Sequence, residues 1–383
     1  MYHALVWRVD TNVRQYAPRR MQNGRWRMSE YSVAVIRGDG IGPEVIEEGI
    51  KGLRAVGREY DITWKFTEYP WGSDYYFEHG RMMPMDALDT LANSDVIYLG
   101  AVGHPELQDH TTLNGLLLPI RRAFDQYVCE RPSVLYPGIT SPLRDKKAWD
   151  IDMVVIRENS EGEYADVGGF QYLGFPEEVG IQTAVFTRRG CDRVITYAFE
   201  LARRRDKGRS VTSVTKSNAQ GYGMVVWDRA FEGVAARYSD IRTESLLVDA
   251  ACMDFVRRPE SFDVVVGSNL FGDILTDIGA IITGSMGWAP SGNIDPERRF
   301  PSMFEPVHGS APDIAGKNIA NPLAAILAAA MMMRHIGEEA GAANVERAVL
   351  RSIEEAQHLT PDLGGASNTS QVGDTVIKAL DSL

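Results

Sequence analysis

Cysteine is scarce: Cys129, Cys191 and Cys252 are the three in a chain of 383 residues. They are odd in number, far apart and without a CxxC pair. That argues against a disulfide framework or a zinc cluster, favours a reducing compartment, and leaves three thiols expected in the core. No run of 18 apolar residues occurs. The most apolar helix candidate, Ala324 to Met333, covers only about half a bilayer and is expected to be a core or interface helix. Basic charge is in deficit, with 40 Lys and Arg against 52 Asp and Glu and a net charge of −12. This disfavours nucleic acid as a partner, although local arginines can still hold a small anion. The P-loop pattern GxxxxGK[ST] is absent, as are internal repeats and low-complexity linkers. The glycine turn Gly38–Glu44 reads GDGIGPE rather than GxGxxG, and no ribose-binding acid ends a second strand, which weighs against the standard dinucleotide fold. A tight turn bringing backbone close to a ligand is the better reading.

What is present suits an α/β enzyme of two domains. The first 27 residues stand apart, holding six arginines against Asp10. An organelle transit peptide and a disordered or non-native extension from an upstream start both fit. The extension is preferred, because the segment from Met28 is an ordinary beginning for a cytoplasmic enzyme. Residues 1–27 carry no functional inference.

The chain is organised around Phe262–Asp277, FDVVVGSNLFGDILTD. Its first residues read as a buried strand stopped by Gly267. Asn269, Asp273 and Asp277 then recur every four residues, so a helix places all three on one face. Two carboxylates one turn apart repel. A divalent metal held by oxygen ligands would compensate them; a wet helix face without metal is the alternative.

Strands are expected at Tyr31–Ile36, Asp95–Gly100, Ser133–Tyr136 after Arg131, Met153–Ile156 before Arg157, Thr183–Thr187, Val211–Thr215 and Glu244–Val248. A helix from Leu113 to Asp125 carries Arg121, with Pro119 bending it or marking its true start. Gly162–Gly174 reads as an excursion or hairpin arm. Further helices are expected at 190–205, 224–238, 323–336, 344–356 and near the C-terminus, and one opens at Asp249. Met303–Pro322 reads as one long loop. Lys216 and Asn218 leave a strand end together.

Arg121, Arg131 and Arg157 offer bidentate pairing to a dicarboxylate if they converge; singly, each reads as a surface charge. Lys216 near a metal and arginines would have its neutral form favoured, suiting proton abstraction, and Tyr164 could return a proton. Gly309–Asp313 could wrap an adenosine, with Asp313 on the ribose hydroxyls favouring NAD over NADP. A structural omega loop is the alternative.

Asn269–Asp277 (NLFGDILTD), Phe304–Asp313 (FEPVHGSAPD) and Ile319–Pro322 (IANP) resemble the motifs of the β-decarboxylating dehydrogenases, a likeness running from Tyr31 to the end. It implies an isopropylmalate-dehydrogenase-like two-domain α/β fold with non-Rossmann nucleotide binding. Residues 28–126 and 280–383 would form the nucleotide-binding domain, and 127–279 the substrate, metal and dimerisation domain. It assigns Arg121, Arg131 and Arg157 to substrate carboxylates, and Asp249, Asp273 and Asp277 to Mg2+ or Mn2+. Asn218 and Asn269 would lie beside substrate and nicotinamide. His308, Gly309, Ser310, Ala311, Asp313, Ile314 and Asn321 would surround NAD. Lys216 and Asp249 would reach across from a second subunit, making a homodimer or larger oligomer with shared sites, and both would serve catalysis with Tyr164.

Counting back from Arg121, Asn114, expected to bind substrate and to mark a small-substrate pocket, stands where isopropylmalate enzymes carry glutamate, and Gly115 where isocitrate enzymes carry serine, while Leu117 and Leu118 remain. The surrounding segments look most like the D-malate/tartrate dehydrogenase branch, some members of which also use K+. The expected reaction is oxidation and decarboxylation of D-malate to pyruvate and CO2, with tartrate as a related substrate. 3-Isopropylmalate is the alternative. A metal-dependent hydrolase or a non-catalytic regulatory subunit are the readings from other classes.

Overall fold

The computed structural model describes residues 28–383; the expected N-terminal extension lies outside them. Twelve strands follow in chain order: β1 (Ser29–Gly38), β2 (Ile62–Glu68), β3 (Val96–Ala101), β4 (Val128–Val134), β5 (Asp152–Glu158), β6 (Gly162–Gln171), β7 (Val179–Val185), β8 (Ser210–Thr215), β9 (Arg242–Leu247), β10 (Val264–Gly267), β11 (Pro290–Ile294) and β12 (Ser302–Pro306). Ten form one sheet in the order β2-β1-β3-β12-β11-β4-β5-β10-β8-β9, and β6 and β7 pair separately. The blocks β2-β1-β3-β12 and β5-β10-β8-β9 are each parallel. Antiparallel pairings through β11 and β4 join them.

The sequence of β1 shows why such strands read as continuous apolar runs. Val33 and Val35 enter one core while Ala34 and Ile36 enter another on the opposite face. Alternate side chains point to opposite faces, and both faces are covered. The first core draws on residues 31–98 and 288–380. A separate core draws on residues 127–282 together with Ile294.

Several boundaries differ from expectation. Arg131 lies inside β4 and Arg157 inside β5, not beside strands. Both face a polar cavity, so charged residues interrupt the apolar pattern that marks strand ends. The segment 303–322 opens as β12 in the middle of the sheet, and β2 and β11 were not anticipated. Cys129 and Cys191 are buried, but Cys252 is only half-buried, on a helix with an open face. No described helix is long and apolar enough to cross a membrane.

Candidate active site

The helix Asn269–Ile282 begins directly after β10, with the Ser268 side chain accepting from the Phe271 amide. Its four-residue period does place Asn269, Asp273 and Asp277 along one face. Gly272 lets that face press against β5, since a Cβ there would lie 2.6 Å from the Cβ of Arg157. Asn269 Oδ1 accepts from Arg157 Nε at 2.9 Å and Nη2 at 2.7 Å. Asp273 Oδ1 accepts from Arg131 Nη1 at 3.1 Å and from Arg157 Nη1, while its Oδ2 accepts from the Tyr164 hydroxyl at 3.0 Å. Burial alone would raise the Asp273 carboxyl, but the charges of Arg157 and Arg131 outweigh it and hold it below its ordinary value. Burial, and then the Asp273 charge, push the Tyr164 phenol up.

Arg131, Arg157, Tyr164 and Asp273 line a cavity of about 180 Å³, whereas Asn269, expected beside the substrate, and Asp277 are not part of its wall. Arg121, Arg131 and Arg157 all face it, and all are nearly inaccessible at 2%, 6% and 3% exposure. The convergence that sequence could not show is present. Arg121 Nη2 donates to Glu305 Oε1 at 3.0 Å, and Asn293 Nδ2 reaches the same oxygen at 2.8 Å. Three buried guanidinium groups therefore meet two carboxylates, Asp273 and Glu305. Bidentate, planar donors in such surplus suit an added carboxylate. Glu305 was missed in the sequence, although it sits inside the FEPVHGSAPD motif, because nothing there signals that it faces Arg121.

Lys216 and Asp249 are elsewhere on this chain. Lys216 Nζ donates to Asp249 Oδ1 at 2.6 Å, with the Asp249 side chain 61% exposed. Asn218 is also exposed. Among the described residues no group of three His, Cys, Asp or Glu could hold a metal, so Asp249 does not join Asp273 and Asp277 within one chain. The two helix aspartates by themselves supply too few ligands to hold a cation. Partial enclosure, and then the Asp273 charge, hold the Asp277 carboxyl above its ordinary value. A divalent ion fits that pair, with further oxygen donors needed from outside it.

The nucleotide-like loop packs on the GDGIGPE turn. Gly40 has φ +57°, and a Cβ there would fall 1.9 Å from the Ser310 carbonyl oxygen. That oxygen accepts from the Ile41 amide at 2.8 Å. Asp39 is consumed in holding Ser73 and Gly103. His308 and Gly309 line the arginine cavity. Burial lowers the His308 imidazole, and its Nε2 has no partner, leaving a polar atom that a nucleotide could satisfy. Ser310, Ala311, Asp313, Ile314 and Asn321 lie beyond the cavity wall. Asp313 is exposed, whereas Asn321 is buried and donates to Asp362 at 3.0 Å.

The expected helix 113–125 is interrupted. Asp109–Thr112 is α-helical, Leu113–Leu117 is a π-turn, and the α-helix resumes at Leu118. Contrary to its expected role in binding substrate, Asn114 is exposed and absent from the cavity wall, to which this segment contributes Leu113, Leu117 and Leu118. Leu113 went unnoticed in the sequence because the count from Arg121 assumed an unbroken α-helix.

The sequence profile described as isocitrate/isopropylmalate dehydrogenase matches residues 32–376. A probable tartrate dehydrogenase/decarboxylase of Agrobacterium vitis is 51% identical, covering 92% of this chain and 98% of its own. A decarboxylating D-malate dehydrogenase of Escherichia coli strain K12 is 49% identical, covering 92% and 99%. The crystal structure of isocitrate dehydrogenase from Methylococcus capsulatus superposes with a TM-score of 0.82 at 34% identity, covering 91% of this chain and 99% of that one.

Proposed function

The chain belongs to the isocitrate/isopropylmalate dehydrogenase family, and from that premise we propose NAD-dependent oxidative decarboxylation of D-malate to pyruvate and CO2, with activity on tartrate. The observation that carries this reading is the buried trio Arg121, Arg131 and Arg157 around one small cavity bearing Tyr164 and Asp273. The arginines bind and orient the two carboxylates of the acid. Tyr164, a phenol and so protonated at neutral pH, delivers its proton to C3 after CO2 leaves. Lys216 of a second copy takes the hydroxyl proton. Asp249 of that copy, with Asp273 and Asp277, would hold Mg2+ or Mn2+. Bound in place, the ion would polarise the 2-oxygen and NAD+ would accept the hydride.

Support for a homodimer with shared sites comes from two features. Lys216 is half-buried and Asp249 exposed, and neither lines the cavity it would serve. The helix bearing Asp249 also presents Met253 and Val256 to solvent, 59% and 50% exposed. The proposed nucleotide-binding domain is 28–126 with 280–383, non-Rossmann in type, and 127–279 carries substrate and dimer contacts. The relatives' printed activities favour the D-malate and tartrate branch; the leucine wall favours 3-isopropylmalate as the second reading. The test is NADH formation with Mn2+ and K+, comparing kcat/KM for D-malate, tartrate, 3-isopropylmalate and isocitrate. D-malate at least about tenfold above 3-isopropylmalate supports the reading; the reverse order replaces it with the second.

A further inference from the structure

The π-turn changes which residue faces the substrate. Its defining bond runs from the Leu118 amide to the Leu113 carbonyl, five residues back. Pro119 follows at once in the resumed helix. A proline inside a helix cannot donate to the carbonyl four residues earlier, and its ring clashes with that carbonyl. Widening the preceding turn by one residue relieves the clash. One inserted residue amounts to about 100° of helix rotation. In an unbroken helix Asn114, seven residues before Arg121, would share its face. After the insertion Leu113 takes that place, and Asn114 turns to solvent. Gly115 holds the register: a Cβ there would lie 2.5 Å from Cγ of Met82, itself 1% exposed.

We propose that Leu113, brought into the cavity by the π-turn, is the residue that reads the substituent at C3 of the acid, and that Asn114 has no part in it. This rests on the dehydrogenase reading and deepens it. With Leu117 and Leu118 beside it, Leu113 makes a wall of hydrocarbon next to Arg121. Hydrogen or alkyl at C3 meets that wall without loss, whereas a hydroxyl must be desolvated without a partner. The chain therefore turns over D-malate better than tartrate, and residue 113 sets the ratio.

The experiment compares kcat/KM for tartrate and D-malate in wild type, Leu113→Ser, Leu113→Met and Asn114→Ser, with thermal melts confirming folding. Leu113→Thr replaces the serine variant if that fails to fold. Leu113→Ser raises the tartrate to D-malate ratio by about tenfold, the scale of one pocket contact. Leu113→Met, apolar and similar in volume, keeps the wild-type ratio, and Asn114→Ser moves it less than about twofold. An active wild type whose ratio ignores residue 113, or follows residue 114, overturns the proposal alone. A wild type that oxidises none of these acids overturns the dehydrogenase reading and the proposal with it.

Discussion

The hydroxyl of Tyr164 donates to Oδ2 of Asp273 at 3.0 Å, while the other oxygen of that carboxylate faces Arg131 and Arg157. One aspartate thus ties the proposed proton donor to two of the buried cavity arginines. The guanidinium of Arg157 also lies 5.2 Å from the Tyr164 ring centroid.

Tyr164→Phe should lower kcat for D-malate by about 10²- to 10⁴-fold, the usual contribution of a positioned acid–base group. Calorimetry should still detect D-malate binding, since the arginines remain. Because the phenol is raised above its ordinary value of 10.0, wild-type turnover limited by this proton should fall only above about pH 10. A turnover loss below tenfold would remove Tyr164 from the mechanism.

Glu305→Gln should cost stability. Arg121 would keep its charge, buried, with its carboxylate partner gone, and its Nε has no hydrogen-bond partner as it stands. Breaking such a pair costs about 3 kcal/mol. Added D-malate should restore part of the loss, since it binds the folded state and brings a carboxylate. Urea unfolding with and without the acid measures both effects; unchanged stability would mean that the cavity itself solvates Arg121.

His335 gives a pH dependence. Burial, then the charge of Arg298, lowers its imidazole from 6.5 to about 3. As pH falls below 6.5 the unfolded chain takes up a proton that the folded chain refuses, so stability declines toward pH 3. Asp295 acts oppositely: burial and Glu297 raise it to about 6, so the folded state gains from acid as pH falls from 6 toward 3.8. Urea unfolding of wild type and His335→Gln between pH 7 and 5 separates them. The variant should show a shallower loss, by at most about 1.4 kcal/mol per pH unit. Parallel curves would mean that His335 protonates freely in the folded protein.

Complementation tests the shared site. Lys216→Ala and Asp273→Asn should each be nearly inactive. Unfolded together and refolded as a mixture, they should regain roughly a quarter of wild-type activity, because a mixed dimer keeps one intact site. No recovery would place all catalytic groups on one chain.

Much of this site was legible in the sequence because its chemistry follows local periodicity. The four-residue spacing from Asn269 to Asp277 needed only a helix to be realised. Other features depend on tertiary partners. Arg131 and Arg157 look like strand flanks because a charged residue breaks an apolar run, even when a cavity receives it. Glu305 carries no local sign that Arg121 waits 3.0 Å away. The one-residue slip at Leu113 reverses a count that would hold in any regular helix. Pro119 was the visible clue, since a proline there must distort the turn before it.

The hairpin β6–β7 carries Phe170, Leu173 and Phe175 into solvent, each between 66% and 69% exposed. A lone two-stranded ribbon is marginal in water, and Tyr164 stands near its root. The arm is thus a lever with its handle outside and its working end in the cavity. A protease nick at the tip can slacken Tyr164 while the three arginines of the cavity stay in place. The role proposed for Tyr164 therefore extends the working site to residues of the arm that lie outside the cavity.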